Sequence, residues 1–121
     1  MHQIVVDEDI PYLSDWLKDT LVIHAFPSLA ITPNRLKEAD GVIIRTLTKI
    51  DPSYPSSCPK LQFIASATSG LDHIHPSLYF QKKPRIAHAP GCNAQAVCAY
   101  VQACFIALNQ PKQYGRIGII G

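Results

Sequence analysis

At 121 residues, with 47% hydrophobic and 17% charged side chains, the chain has the composition of one small soluble globular domain with a single core. A net charge of +2, carried by scattered Lys and Arg, excludes the basic stripe of a nucleic-acid binder, and no apolar run reaches the ~18–20 residues of a membrane span. The opening Met1-His2-Gln3-Ile4-Val5-Val6-Asp7 reads as a strand start and lacks the basic-then-apolar layout of a secretory leader, so the expected location is cytoplasmic.

Strand and helix patterns alternate along the chain. Gln3–Val6 is a short apolar strand that ends in Asp7-Glu8-Asp9. Pro11 suits a helix first turn, and Tyr12, Leu13, Trp16 and Leu17 share one apolar face at helical spacing. Leu21–Phe26 is a second strand. Thr32-Pro33 caps and opens a short helix in which Leu36 faces inward. Gly41–Thr46 is a third strand, nearly all apolar, as a parallel strand covered on both faces should be.

Residues 51–59 hold three prolines and three serines and read as a loop. Leu61–Ala67 is a fourth strand, broken by Thr68-Ser69-Gly70. A helical turn follows within His75–Phe80, and Arg85–His88 is a fifth strand. Ala89-Pro90-Gly91-Cys92 turns the chain, Asn93 is an N-cap, and Ala94–Leu108 is the longest helix. Tyr114–Gly121 reads as the start of one more strand. The four cysteines, Cys58, Cys92, Cys98 and Cys104, form no CxxC pair and have no matching His ligands. They are expected as reduced, mostly buried thiols and not as a metal or disulfide site. Cys92, just before a helix start, is the one placed to react.

This alternation predicts an α/β fold, an open, flavodoxin-like, doubly wound parallel sheet with helices on both faces. Ligands of such sheets bind beyond the carboxyl ends of the strands. That rule selects Asp7-Glu8-Asp9, Arg45-Thr46, Thr68-Ser69-Gly70 and Ala89-Pro90-Gly91. Small residues around Gly70 let the N–H groups of Thr68, Ser69 and Gly70 point at one spot, a nest for carboxylate or phosphate oxygens; the competing reading is a plain turn. Arg45 can grip an oxyanion with two N–H groups and Lys49 can neutralise one as a point charge, against the reading of a solvated strand end. The acidic Asp7-Glu8-Asp9 is expected to cap the following helix more than to hold a metal. His73 and His75 read as loop residues, and His88 is left open. Gly121 stands where the first glycine of a G-x-G-x-x-G fingerprint would, which makes it the one candidate cofactor-binding residue.

Five segments together carry a resemblance. They are Val5-Val6-Asp7-Glu8-Asp9-Ile10-Pro11, Ile44-Arg45-Thr46-Leu47-Thr48-Lys49, Ala67-Thr68-Ser69-Gly70-Leu71-Asp72-His73, Ala89-Pro90-Gly91-Cys92-Asn93-Ala94 and Ile117-Gly118-Ile119-Ile120-Gly121. In this order and at these spacings the chain resembles the start of a D-isomer-specific 2-hydroxyacid dehydrogenase. The resemblance implies a two-domain enzyme that uses NAD to oxidise a small phosphorylated hydroxy acid. It carries substrate contacts onto Thr46, where the family often has Ser, and onto Thr68, with the Thr68-Ser69-Gly70 loop holding substrate by its N–H groups. Arg45 or Lys49 is expected to neutralise part of the substrate's charge.

The resemblance divides the chain into a substrate-binding domain over 1–92, an interdomain helix and linker over 93–113, and over 114–121 the start of a truncated Rossmann domain for NAD. It places the family's catalytic Arg, Glu and His beyond residue 121, so no catalytic residue and no bound cofactor are expected here. Two departures stand out: Ala99 precedes Tyr100-Val101 where the family often has Glu, and Leu71 stands where a small residue is common. A tail without partner strands and an apolar 94–108 helix predict homodimerisation or aggregation. Two other readings compete: a stand-alone interaction module using that helix, and a signalling receiver domain. The latter needs an Asp after the third strand and a Lys after the fifth, where this chain has Arg45-Thr46 and Ala89-Pro90.

Overall fold

A computed structural model of the chain describes residues 1–17, 19–108 and Gly118. Its backbone divides into two compact units, residues 1–90 and 91–121. The first unit is a five-stranded parallel sheet. Its strands are β1 (Gln3–Asp7), β2 (Val22–Phe26), β3 (Gly41–Ile44), β4 (Phe63–Ser66) and β5 (Arg85–Ala87), in the spatial order β2-β1-β3-β4-β5. This is the flavodoxin-like order, with its switch of direction between β1 and β3. The expected α/β parallel fold is the observed one, with each strand a residue or more shorter at its ends than the apolar runs predict, except β1, which gains Asp7.

The core lies where the apolar strands meet the crossover segments. Val5, Val42, Ile44 and Ile64 of the central strands pack with Ile31, Leu36, Ile50, Ile74 and Leu78 from the connections. Central strands buried on both faces need continuous apolar sequence, which Ile4-Val5-Val6 and Val42-Ile43-Ile44 supply. The edge strand β2 has no buried residue. Gly41 opens β3 directly beside Phe63 of β4, its register partner. A Cβ at position 41 would run into the Phe63 ring, so any larger residue there must push that ring aside.

The helices of this unit are short: α1 (Leu13–Leu17), α2 (Pro33–Leu36) and α3 (Ser53–Ser57), with 3-10 turns at Ser28–Ala30 and Pro76–Leu78. The apolar face of α1 is partly covered: Leu13 and Leu17 are half-buried, Tyr12 and Trp16 are 74% and 84% exposed, and Tyr12 enters the helix at a φ of 63°. Two expectations need correction. Thr32 precedes α2 without a side-chain cap; its carbonyl takes the Arg35 N–H instead. The Pro- and Ser-rich segment 51–59, expected as loop, contains α3. The Asp51 carboxylate accepts the Ser53 N–H at 2.7 Å, Pro55 sits in the first turn, where its missing N–H costs nothing, and Tyr54 is buried.

The second unit holds α4 (Ala94–Ala107), fourteen residues without a charged side chain. Asn93 occupies the N-cap position but makes no side-chain cap bond. The thiols also depart from expectation: Cys58 is buried, Cys104 is intermediate, and Cys92 and Cys98 are exposed. The predicted strand 114–121, its pairing and Gly121 lie outside the described residues, apart from Gly118, which has no regular structure. No helix among the described residues is long and apolar enough to cross a membrane.

Candidate functional site

Three strand ends build one polar edge. In register, Ile44 of β3 pairs with Ser66 of β4, so Thr46 and Thr68 each stand two residues past the same paired position on neighbouring parallel strands. The Ala67 N–H still bonds the Ile44 carbonyl at 2.9 Å, and the Ala89 N–H bonds the Thr68 carbonyl at 3.1 Å. Between those two bonds the chain leaves the ladder. The N–H groups of Thr68, Ser69 and Gly70 have no acceptor among the described residues. Thr68 and Ser69 are half-buried and Gly70 is exposed, so these donors face solvent and are open to a ligand. The local geometry differs from an alternating right- and left-handed nest, because none of these residues adopts a positive φ.

The loop is fastened by side chains that periodicity alone does not connect. His73, read above as a loop residue, is 3% exposed, and its Nε2 lies 2.9 Å from the Oγ of buried Ser66. Ser66 Oγ lies 2.6 Å from Thr68 Oγ1, which donates to the Gly70 carbonyl at 3.3 Å. Burial, reinforced by the positive charge of Lys49, holds the His73 pKa below the ordinary histidine value against a smaller upward pull from Asp72. His88 answers the question left open for it. Its Nδ1 lies 2.8 Å from the Ser69 carbonyl, which can only accept, so Nδ1 carries the hydrogen and β5 is tied to the loop. The signal for both histidines was their place just past β4 and β5, not any ligand spacing.

The acidic cluster neither caps α1 nor gathers around a metal position. Asp7 has its side chain fully buried and accepts a short hydrogen bond from Ser28 Oγ. Its Oδ1 takes the Asp9 N–H at 3.1 Å and lies 3.2 Å from Arg45 Nε. Burial pushes the Asp7 pKa up, but the Ser28 hydroxyl, the Arg45 guanidinium and the Asp9 N–H outweigh it and hold the carboxyl below its ordinary value. Arg45 Nη2 donates to Asp9 Oδ2 at 2.5 Å. Its charge is thus matched by two carboxylates. Among the described residues no cluster of three or more His, Cys, Asp or Glu could hold a metal ion.

Beyond Arg45 the segment bends back. Thr48 is buried and donates to the Ser28 carbonyl at 3.0 Å, while Thr46, Leu47 and Lys49 are exposed. Lys49 makes no ion pair among the described residues and borders a shallow cleft of about 220 Å³ with Ser28, Thr32, Thr48 and Tyr54. For the NAD that the resemblance implies, only Gly118 of the expected fingerprint strand is described.

Known proteins resemble the chain over most of its length. An erythronate-4-phosphate dehydrogenase of Shewanella woodyi is 33% identical over 98% of this chain, and one of Idiomarina loihiensis is 38% identical over 82%. The chain spans 32% of the first relative's length and 26% of the second's. Among solved structures, a D-lactate dehydrogenase of Aquifex aeolicus, complexed with NAD and lactic acid, superposes with a TM-score of 0.56 at 21% identity. It is matched over 98% of this chain and 41% of its own. An NAD-bound 3-phosphoglycerate dehydrogenase of Entamoeba histolytica gives 0.61 at 24%, over 95% of this chain and 42% of its own. At such identities these two show the shared fold. The catalytic domain of the D-isomer specific 2-hydroxyacid dehydrogenases matches residues 3–106, and the chain belongs to that family.

Proposed function

We propose that this chain is the substrate-side part of an NAD-dependent dehydrogenase that oxidises 4-phospho-D-erythronate to its 2-oxo acid, a step toward pyridoxal phosphate. On its own it binds the hydroxy acid and does not turn it over. The observation that carries this reading is the open run of N–H groups at Thr68, Ser69 and Gly70, at the carboxyl end of β4 and beside Thr46. Those donors suit an oxyanion, and the Thr46 and Thr68 hydroxyls add one hydrogen bond each. NAD supplies the hydride acceptor in the family. The described residues bind and orient substrate only, because hydride transfer also needs an acid–base group in reach and none of the family's catalytic residues falls on them.

Within this proposal the two cations divide their work. Arg45 is held by Asp7 and Asp9 and so stiffens the segment that carries Thr46. Lys49, with no carboxylate partner among the described residues, offsets substrate charge. Calorimetric titration of the chain with 4-phospho-D-erythronate tests the reading. Saturable binding is expected, weakened about tenfold by Thr68→Val and similarly by Thr46→Val, the scale of one hydrogen bond to a charged oxygen. Unchanged affinity in both variants overturns it. Titration with NAD is expected to give no saturable heat, and mixing both ligands to give no NADH absorbance.

A second reading, self-association through the 94–108 helix, has its own support. The α4 sequence carries no charge and is apolar nearly all round, the pattern of a helix that is covered in its working state. Sedimentation is expected to show a dimer that Val101→Glu dissociates; a monomer at all concentrations removes this reading.

A further inference from the structure

The hydroxyl of Thr68 is only useful to an anionic substrate if its hydrogen points toward that substrate. The direction of that hydrogen is set by two buried residues behind it. Thr68 Oγ1 and Ser66 Oγ lie 2.6 Å apart, and Ser66 Oγ and His73 Nε2 lie 2.9 Å apart. A hydroxyl has one hydrogen to give and two lone pairs to receive. With Ser66 giving its hydrogen within the row, the row can run in two ways.

In the inward direction Thr68 donates to Ser66, and Ser66 donates to an unprotonated His73 Nε2. Nδ1 would then carry the imidazole hydrogen. The Thr68 contact with the Gly70 carbonyl would be lost. In the outward direction Nε2–H donates to Ser66, Ser66 donates to Thr68, and Thr68 donates to the Gly70 carbonyl. Every short contact in the row is then a hydrogen bond. That last bond is the longest, 3.3 Å against 2.6 and 2.9 Å, so it is the one most readily given up.

We propose that His73 is a positioning residue whose Nε2–H, relayed through Ser66, orients the Thr68 hydroxyl as an outward donor for the oxyanion of a hydroxy-acid substrate. The inference rests on the substrate reading above and extends it from the surface of the loop to the buried row behind it. Substrate arrival exchanges the weak Thr68–Gly70 bond for one to a charged oxygen, and no proton changes owner. Protonation of His73 would leave Nε2–H in place, so the row's direction is a matter of tautomer and not of charge.

The relay is tested in two ways that fail separately. Imidazole ¹⁵N shifts of the ligand-free chain read the tautomer directly: a hydrogen on Nε2 of His73 is expected, and a neutral ring with its hydrogen on Nδ1 overturns the relay whether or not anything binds. Calorimetry with 4-phospho-D-erythronate then compares variants. His73→Phe and Ser66→Ala are expected to weaken binding about tenfold, as Thr68→Val does, while His73→Gln, whose amide N–H stands in for Nε2–H, restores most of the affinity. A His73→Gln variant that binds as poorly as His73→Phe overturns the inference, since a packing role alone would not separate the two. If the unaltered chain binds no 4-phospho-D-erythronate, the substrate reading falls, and the nitrogen spectrum decides the relay alone.

Discussion

The two ends of the one sheet use the same materials to opposite effect. At the amino end a belt of backbone bonds crosses all five strands: Val22 N–H to the His2 carbonyl, Asp40 to Gln3, Gln62 to Asp40 and Arg85 to Gln62, all between 2.7 and 3.0 Å. Asp40 closes the belt by accepting the Gln3 N–H at 2.8 Å, and the Lys60–Glu38 pair lies exposed beside it. The donors of that belt are all paired. At the carboxyl end Asp7 is buried and surrounded, yet three N–H groups in the next loop are left open. Each end has an aspartate that organises it. The half-exposed one accepts from the backbone, and the buried one holds Arg45 and Ser28.

The strongest test of this contrast is to remove each aspartate. Asp7→Ala is expected to cost about 3 kcal/mol in urea unfolding, because it strands the partly buried Arg45 and Ser28 without a partner. Asp40→Ala should cost clearly less, since water replaces what it gave. Equal losses would erase the distinction between the two ends. Next in size, Gly41→Ala should cost about 1–3 kcal/mol through the collision with Phe63. A double-mutant cycle with Phe63→Leu should recover much of that loss, and additive losses would remove Phe63 as its cause.

The pH dependence is smaller and has two windows. His73 has a lowered pKa in the fold, so the unfolded chain takes up its proton first as pH falls. Stability should therefore decline from about pH 6.5 down to the lowered value and then level off with respect to this group. His73→Gln should remove that decline. Asp7 is also lowered, so its contribution is present above about pH 3.9 and is lost as pH falls through its folded value; Asp7→Asn should flatten only this acid limb. Urea midpoints across pH read both, and a decline below about pH 6.5 that survives His73→Gln would assign it elsewhere. Smallest of all, a thiol reagent on the folded chain should spare Cys58, whose pKa burial raises, and label Cys92 and Cys98.

Much of this was legible in the chain itself, for identifiable reasons. Continuous β-branched runs such as Val42-Ile43-Ile44, bounded by Gly41, fit central parallel strands, and once the strands are placed the carboxyl-end rule points to Thr46 and Thr68. The fastening was not legible. Asp7, Ser28 and Arg45 are brought together across three different segments, and neither strand nor helix periodicity encodes a meeting of side chains from separate strand ends. Helix α3 was hidden because Pro and Ser mark turns and helix first turns alike, and only the Asp51 cap separates the two. The exposed Tyr12 and Trp16 show how far periodicity reaches. Helical spacing of apolar residues says which ones share a face, not that anything in the same unit covers it.

The open amides of Thr68, Ser69 and Gly70 bear on how binding would respond to ionic strength. Attraction to an exposed ammonium such as Lys49 fades as salt shortens the Debye length. A row of peptide dipoles acts only at hydrogen-bond range, where mobile ions do not intervene. Affinity that persists in concentrated salt would therefore assign the grip to the backbone of this loop, and affinity that collapses would assign it to the lysine.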